Sequence, residues 1–135
     1  MRVVLDTNVV VSGLATPTGP CAQILDLTVE GKVQPCVDAR VLEEYERVLR
    51  RPDLPISPEK AEEFLEFIPV IAEIVSPVPL AVVLPHEDDR PFLETAREAA
   101  AILVSGNLRH FPARKRAGVT VLSPREFLVY NSENW

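Results

Sequence analysis

"RVVLDTN", residues 2–8, is a short β-branched run that stops at an acid, Asp6, and its reading decides the fold. A run of this length and composition predicts a buried strand. Outward from it, "PCAQILDLTVEGK" (20–32) spaces Cys21, Ile24, Leu25 and Leu27 to Val29 at near-helical intervals until Gly31 ends them. "VQPCV" (33–37) predicts a second strand. "DARVLEEYERVLRRP" (38–52) is a well-marked helix, with Asp38 as N-cap, arginines in the last turn and Pro52 beyond. Residues 57–75 open with Ser57 and Pro58 and carry acids at 59, 62, 63 and 66 as a wet face, and Pro69 is expected to kink or split that helix. Proline-punctuated residues 76–85 predict a short edge strand. "DDRPFLETAREAA" (88–100) reads as a helix, "AILVSGN" (101–107) as a buried strand ending in a turn, "GVTVLSPREFLVY" (118–130) as a last strand and helix, and 131–135 as a frayed tail. Alternating strands and helices predict a three-layer α/β/α fold around a mainly parallel sheet, and 135 residues predict one domain, 1–135.

The 47% hydrophobic and 25% charged composition is that of a soluble globular protein. No apolar run approaches the roughly 18 residues of a membrane span, so no membrane partner is expected. No signal-peptide pattern precedes the first strand, which makes the expected location cytoplasmic. Cys21 and Cys36 lack metal-ligand spacing and are expected to be reduced and structural. The net charge of −6 argues against coating nucleic acid by charge alone. Residues 99–125 nevertheless hold Arg109, Arg114, Lys115, Arg116 and Arg125 and no acid, either a small basic face or a solvated loop.

Chemistry enters with the acids. Parallel α/β sheets bind ligands outside the carboxyl ends of their strands, where Asp6, Ser105, Gly106 and Asn107 fall. Asp6 is equally suited to cap the segment that follows it. On the helix of 38–51, Val41, Leu42, Tyr45, Val48 and Leu49 make the apolar stripe. Glu43 lies opposite its centre, whereas Glu44 and Glu46 flank it at about 100° and tie as candidates for a cleft. On the helix of 88–100, Phe92, Leu93, Ala96, Ala99 and Ala100 form the stripe. Asp89 projects back into the middle of that stripe and Asp88 falls about 80° away. A core-facing Asp89 either meets a cation or caps its own helix through the Phe92 amide. Asp6, a rim glutamate and Asp89 have no obvious cation partner in the sequence. Converging carboxylates repel unless a cation neutralises them, and hard oxygen donors suit Mg²⁺ or Mn²⁺. Such an ion can activate water and stabilise charge on a phosphodiester.

"VVLDTNVVVSGL", "VLEEYERVLRRP", "DDRPFLETA" and "ILVSGNLRHFP" stand in the order and spacing of the PIN domain, and the chain resembles the toxin-like (VapC-like) branch of that family from Arg2 to about Leu122. The resemblance implies a Mg²⁺- or Mn²⁺-dependent ribonuclease acting on single-stranded RNA, the toxin of a toxin–antitoxin pair, with a cognate antitoxin as partner and a homodimeric state. It places metal ligands on Asp6, Glu44 and Asp89, so breaking the tie with Glu46, and puts Asn8 in the turn. The family's strand-end "TGD" is "SGN" here, giving Ser105 and Asn107, with Asn107 assisting catalysis. Arg109 and His110 are expected to contact substrate phosphate, with Asn8 and Ser105 also on the substrate side, while His86 stands where many members have another acid. Asn107 removes one charge and weakens a second metal site. This supports the alternative of a PIN-like scaffold that binds a protein or RNA without cutting. A phosphatase with Asp6 as nucleophile would want a second acid two residues later, where Asn8 stands, and a suitably placed lysine among only Lys32, Lys60 and Lys115.

Overall fold

In a computed structural model that describes residues 1–134, five parallel strands are flanked by helices in the expected α/β/α layering. The strands are β1 (Arg2–Leu5), β2 (Gln34–Val37), β3 (Glu73–Ile74), β4 (Ile102–Val104) and β5 (Val121–Leu122), in spatial order β3-β2-β1-β4-β5. Connections from β1 therefore run to one side for β2 and to the other for β4, which makes the carboxyl ends of β1 and β4 the switch point. Leu5 pairs with Val104, so the next residues, Asp6 and Ser105, emerge side by side. Val3, Val4, Leu103 and Val104 are fully buried, as expected for a central strand covered on both faces.

The helices are α1 (Thr7–Ala15), α2 (Pro20–Val29), α3 (Ala39–Leu49), α4 (Pro58–Ile71), α5 (Arg90–Ala99) and α6 (Pro124–Glu133). None among the described residues is long and apolar enough to cross a membrane. Capping fixes several of them as the sequence predicts: Asp38 accepts the Val41 amide, Ser57 that of Lys60, and Ser123 with Glu126 forms a full capping box. Helix α3 is pinned by Tyr45. Its ring is buried against Phe64 and Phe92, and its hydroxyl donates to the Leu5 carbonyl at 2.5 Å. This single anchor holds α3 over the carboxyl end of β1 and carries Glu44, one residue earlier, with it.

Four expectations are corrected. Pro69 does not split α4, because it lies within the last turn, where one missing hydrogen bond costs little. The edge strand falls at Glu73–Ile74 rather than within 76–85, and the latter segment is held by side chains instead of a ladder. Ala100 is exposed in a left-handed C-cap and leaves the apolar stripe of α5. Residues 131–133 are not frayed but continue α6, with Asn131 buried; Trp135 lies outside the described residues. The two cysteines are free, Cys36 buried and Cys21 partly so.

Candidate functional site

Asp6 is both cap and centre. Its Oδ1 accepts the Thr7 amide at 2.8 Å and so starts α1, while Oδ2 accepts the Ser105 hydroxyl at 2.7 Å and the Asn8 amide at 3.2 Å. The carboxylate is 4% exposed. Burial raises its pKa above the usual range; the hydrogen bonds from Ser105 and Thr7 oppose that shift, and the nearby Glu44 charge adds to it. Asn8 closes the turn, because its Oδ1 accepts the Gly106 amide at 2.8 Å. A Cβ on Gly106 would stand 3.2 Å from that oxygen, tighter than ordinary packing, which explains the glycine between Ser105 and Asn107.

Glu44 reaches the same centre through Thr7, whose hydroxyl donates to Oε2 at 2.5 Å. Glu46 points to solvent, where it pairs with Arg50, while Glu44 is the glutamate placed near Asp6. Thr7 was missed in the sequence; a hydroxyl directly after a strand-end acid was the available signal. Asp89 is 9% exposed and caps nothing with its side chain, against the capping alternative. It closes a 3-10 turn, Glu87–Asp89, that leads into α5. Burial first, then the Asp6 charge, push its pKa up to about 6. His110 Nδ1 lies 2.9 Å from Asp89 Oδ2. The two atoms are close, yet not aligned as a hydrogen bond, so Oδ2 remains a buried oxygen without a directed donor.

Asn107 and His110 face each other, Nδ2 to Nε2 at 2.8 Å, and His86 leans on the His110 ring with centroids 4.3 Å apart. Ser105 is fully buried, donating to Asp6 and accepting the Asn107 amide at 3.0 Å. Its expected place on the substrate side is therefore corrected, since no surface of it is left for a ligand. His110 is likewise turned inward to the acids, whereas Arg109 is exposed without a hydrogen bond or ion pair among the described residues. Arg114 and Lys115 follow in a second exposed turn, and Arg116 donates to the Phe111 carbonyl at 2.8 Å. Asp88 is exposed and caps nothing, while Glu87 binds Arg90 at 2.7 and 3.0 Å.

Among the described residues no group of three or more His, Cys, Asp or Glu is arranged to hold a metal ion. The donors still fit a hard, hydrated divalent ion, because Mg²⁺ keeps several waters and uses only one or two carboxylates. The undirected Asp89 Oδ2, buried beside Asp6, is the oxygen such an ion would satisfy. A separate apolar groove of about 530 Å³, walled by Leu14, Leu25, Phe64 and Phe67, lies between α1, α2 and α4 and includes none of these acids.

Fold and site together define a parallel α/β domain with carboxylates grouped at its switch point. The chain belongs to the PIN domain family, whose match covers residues 2–109. An uncharacterized protein of Methanocaldococcus jannaschii is 30% identical over 110 residues, 79% of this chain and 71% of that protein. Two solved structures share the fold over 91% of this chain and 98% of theirs: VapBC2 from Rickettsia felis bound to a DNA fragment from their promoter, with TM-score 0.62 and 16% identity, and FitAcB from Neisseria gonorrhoeae, with TM-score 0.59 and 18% identity. PIN domains are generally nucleases that use divalent metals.

Proposed function

We propose that this chain is a metal-dependent endoribonuclease, the toxin of a toxin–antitoxin pair, acting on single-stranded RNA. The observation that carries this reading is the meeting of Asp6, Glu44 and Asp89 at one strand end, where the foremost charges on the two aspartates are one another, Glu44 and histidines rather than an arginine or lysine among the described residues. Asp6 and Asp89 would hold Mg²⁺ or Mn²⁺, with Glu44 at the rim. Bound there, the ion supplies an activated water and neutralises charge on the phosphodiester. The chain's own residues do the rest: Ser105 and Asn8 fix the Asp6 carboxylate, Thr7 fixes Glu44, and exposed Arg109 is free to meet a substrate phosphate. A cognate antitoxin belongs to the same reading, which the fold shared with VapBC2 and FitAcB supports, and a homodimeric state and a cytoplasmic location are proposed with it.

The test is cleavage of labelled single-stranded RNA with Mn²⁺. Asp6→Asn keeps an acceptor for the Thr7 amide, so the fold survives while cleavage falls by more than about 100-fold, beyond the loss typical of an outer partner of a metal ligand. Equal cleavage by the variant would sink the reading.

A further inference from the structure

The two central acids are joined by a continuous chain of polar contacts. Ser105 Oγ donates to Asp6 Oδ2 at 2.7 Å and accepts the Asn107 amide at 3.0 Å. Asn107 Nδ2 meets His110 Nε2 at 2.8 Å, and His110 Nδ1 reaches Asp89 Oδ2 at 2.9 Å. The links come from the loop after β4, whereas Asp89 comes from the start of α5, so His110 is the side chain that ties one to the other.

From this geometry we infer that His110 is a positioning residue for Asp89, with Asn107 fixing its tautomer. With the Asn107 side-chain amide as donor, Nε2 accepts and the ring proton sits on Nδ1, the nitrogen 2.9 Å from Asp89 Oδ2, so that a small turn of the ring aligns the pair. Histidines and carboxylates that orient a metal ligand from behind act in this way. His86 leans on the ring at 41°, and the Asp89 amide donates to the His86 carbonyl at 3.1 Å, so both imidazoles lie against the turn that presents the acid. Asn107 is thereby a donor to His110, a different task from lending its oxygen to a metal. The inference rests on the nuclease reading above, and it takes His110 out of the group that touches substrate.

Three substitutions of His110 separate the roles, measured by Mn²⁺ titration calorimetry on the full chain and by kcat and KM for RNA cleavage. His110→Ala is expected to weaken Mn²⁺ binding by about 10- to 100-fold with KM for RNA little changed. His110→Asn places an amide N–H at the same bond distance from Cβ as Nδ1 and should restore most of the affinity. His110→Gln puts its donor one bond further and should not. Thermal melts of the same variants identify any that fail to fold, and the comparison of Asn with Gln stands on whichever pair folds equally. Mn²⁺ affinity within twofold of wild type in His110→Ala overturns the inference, as does equal rescue by Gln and Asn. A raised KM at unchanged Mn²⁺ affinity overturns it in favour of a phosphate contact. Absence of Mn²⁺ binding and of cleavage in the wild-type chain overturns the nuclease reading itself, and this inference with it.

Discussion

Two buried acids five residues apart, Asp89 in the turn that leads into α5 and Glu94 within that helix, live in opposite electrostatic surroundings. Glu94, 3% exposed, accepts Arg40 Nη1 at 2.9 Å and the Leu80 amide at 2.8 Å, with Arg90 at 3.7 Å. Arg40 also reaches Asp38 at 2.7 Å, and Arg90 extends to the carbonyls of Leu80 and Val82, so this cluster staples residues 76–84 to α3 and α5. Every buried carboxylate there has an arginine. Around Asp89 the neighbours are Asp6, Glu44 and two histidines, His110 and His86, and its pKa is pushed up to about 6. Burial of an acid is thus no mark of function by itself. What separates a site from a staple is a missing cation, which leaves a charge for something else to neutralise.

Breaking the staple should produce the larger change in stability. Arg40→Met keeps the length of the side chain but strands Asp38 and Glu94, and is expected to cost about 2–3 kcal/mol in urea unfolding. The lower end applies because Arg90 remains near Glu94 and because Arg40 is itself partly solvated. An unchanged midpoint would show that the cluster is a surface decoration. At the site the sign reverses. Asp89→Asn removes a charge that burial and Asp6 disfavour more than His110 and His86 favour it, so near neutral pH and without metal the variant should be more stable than wild type by about 1 kcal/mol, the full pKa shift being discounted for the solvent that reaches the group. Added Mn²⁺ should stabilise only the wild type, since the variant lacks the proposed ligand. A destabilised Asp89→Asn in EDTA would contradict the contrast between the two clusters.

How much of this was legible in the sequence follows from what each residue's position depends on. Asp89 could be found because its place is set by the stripe of its own helix, continued backward one turn. The tie between Glu44 and Glu46 was symmetric on the wheel; the tertiary anchor of Tyr45 on Leu5 turns the Glu44 side of α3 to the strand end. Helix α1 carried no helix marks of its own, since Val9, Val10 and Val11 are β-branched, and it forms because Asp6 caps it and Val9 and Val10 are buried. The Glu94 staple was hidden for a different reason. Its arginines lie 54 residues away and one turn back, and no local pattern specifies that meeting. The inward turn of His110 was accessible in part, because Asn107 and His110 are three apart at a 3-10 turn, where such side chains eclipse.

The smallest expected effect lies beside the largest functional one. Asp88 precedes Asp89 at the start of the predicted helix 88–100, where a capping role would be worth about 1 kcal/mol. In the fold its side chain is exposed and caps no helix amide, while the adjacent Glu87 takes the ion pair with Arg90. Asp88→Ala should therefore change stability by no more than about 0.5 kcal/mol, as for a surface position without a special contact. Its Mn²⁺ affinity should stay within a few-fold of wild type, because an exposed charge near the site acts only through screened solvent. Measured against Asp89→Asn under the same conditions, a loss near 1 kcal/mol in Asp88→Ala would restore the capping role. Loss of Mn²⁺ binding on that substitution would move the functional acid by one residue and with it the face of α5 that meets Asp6.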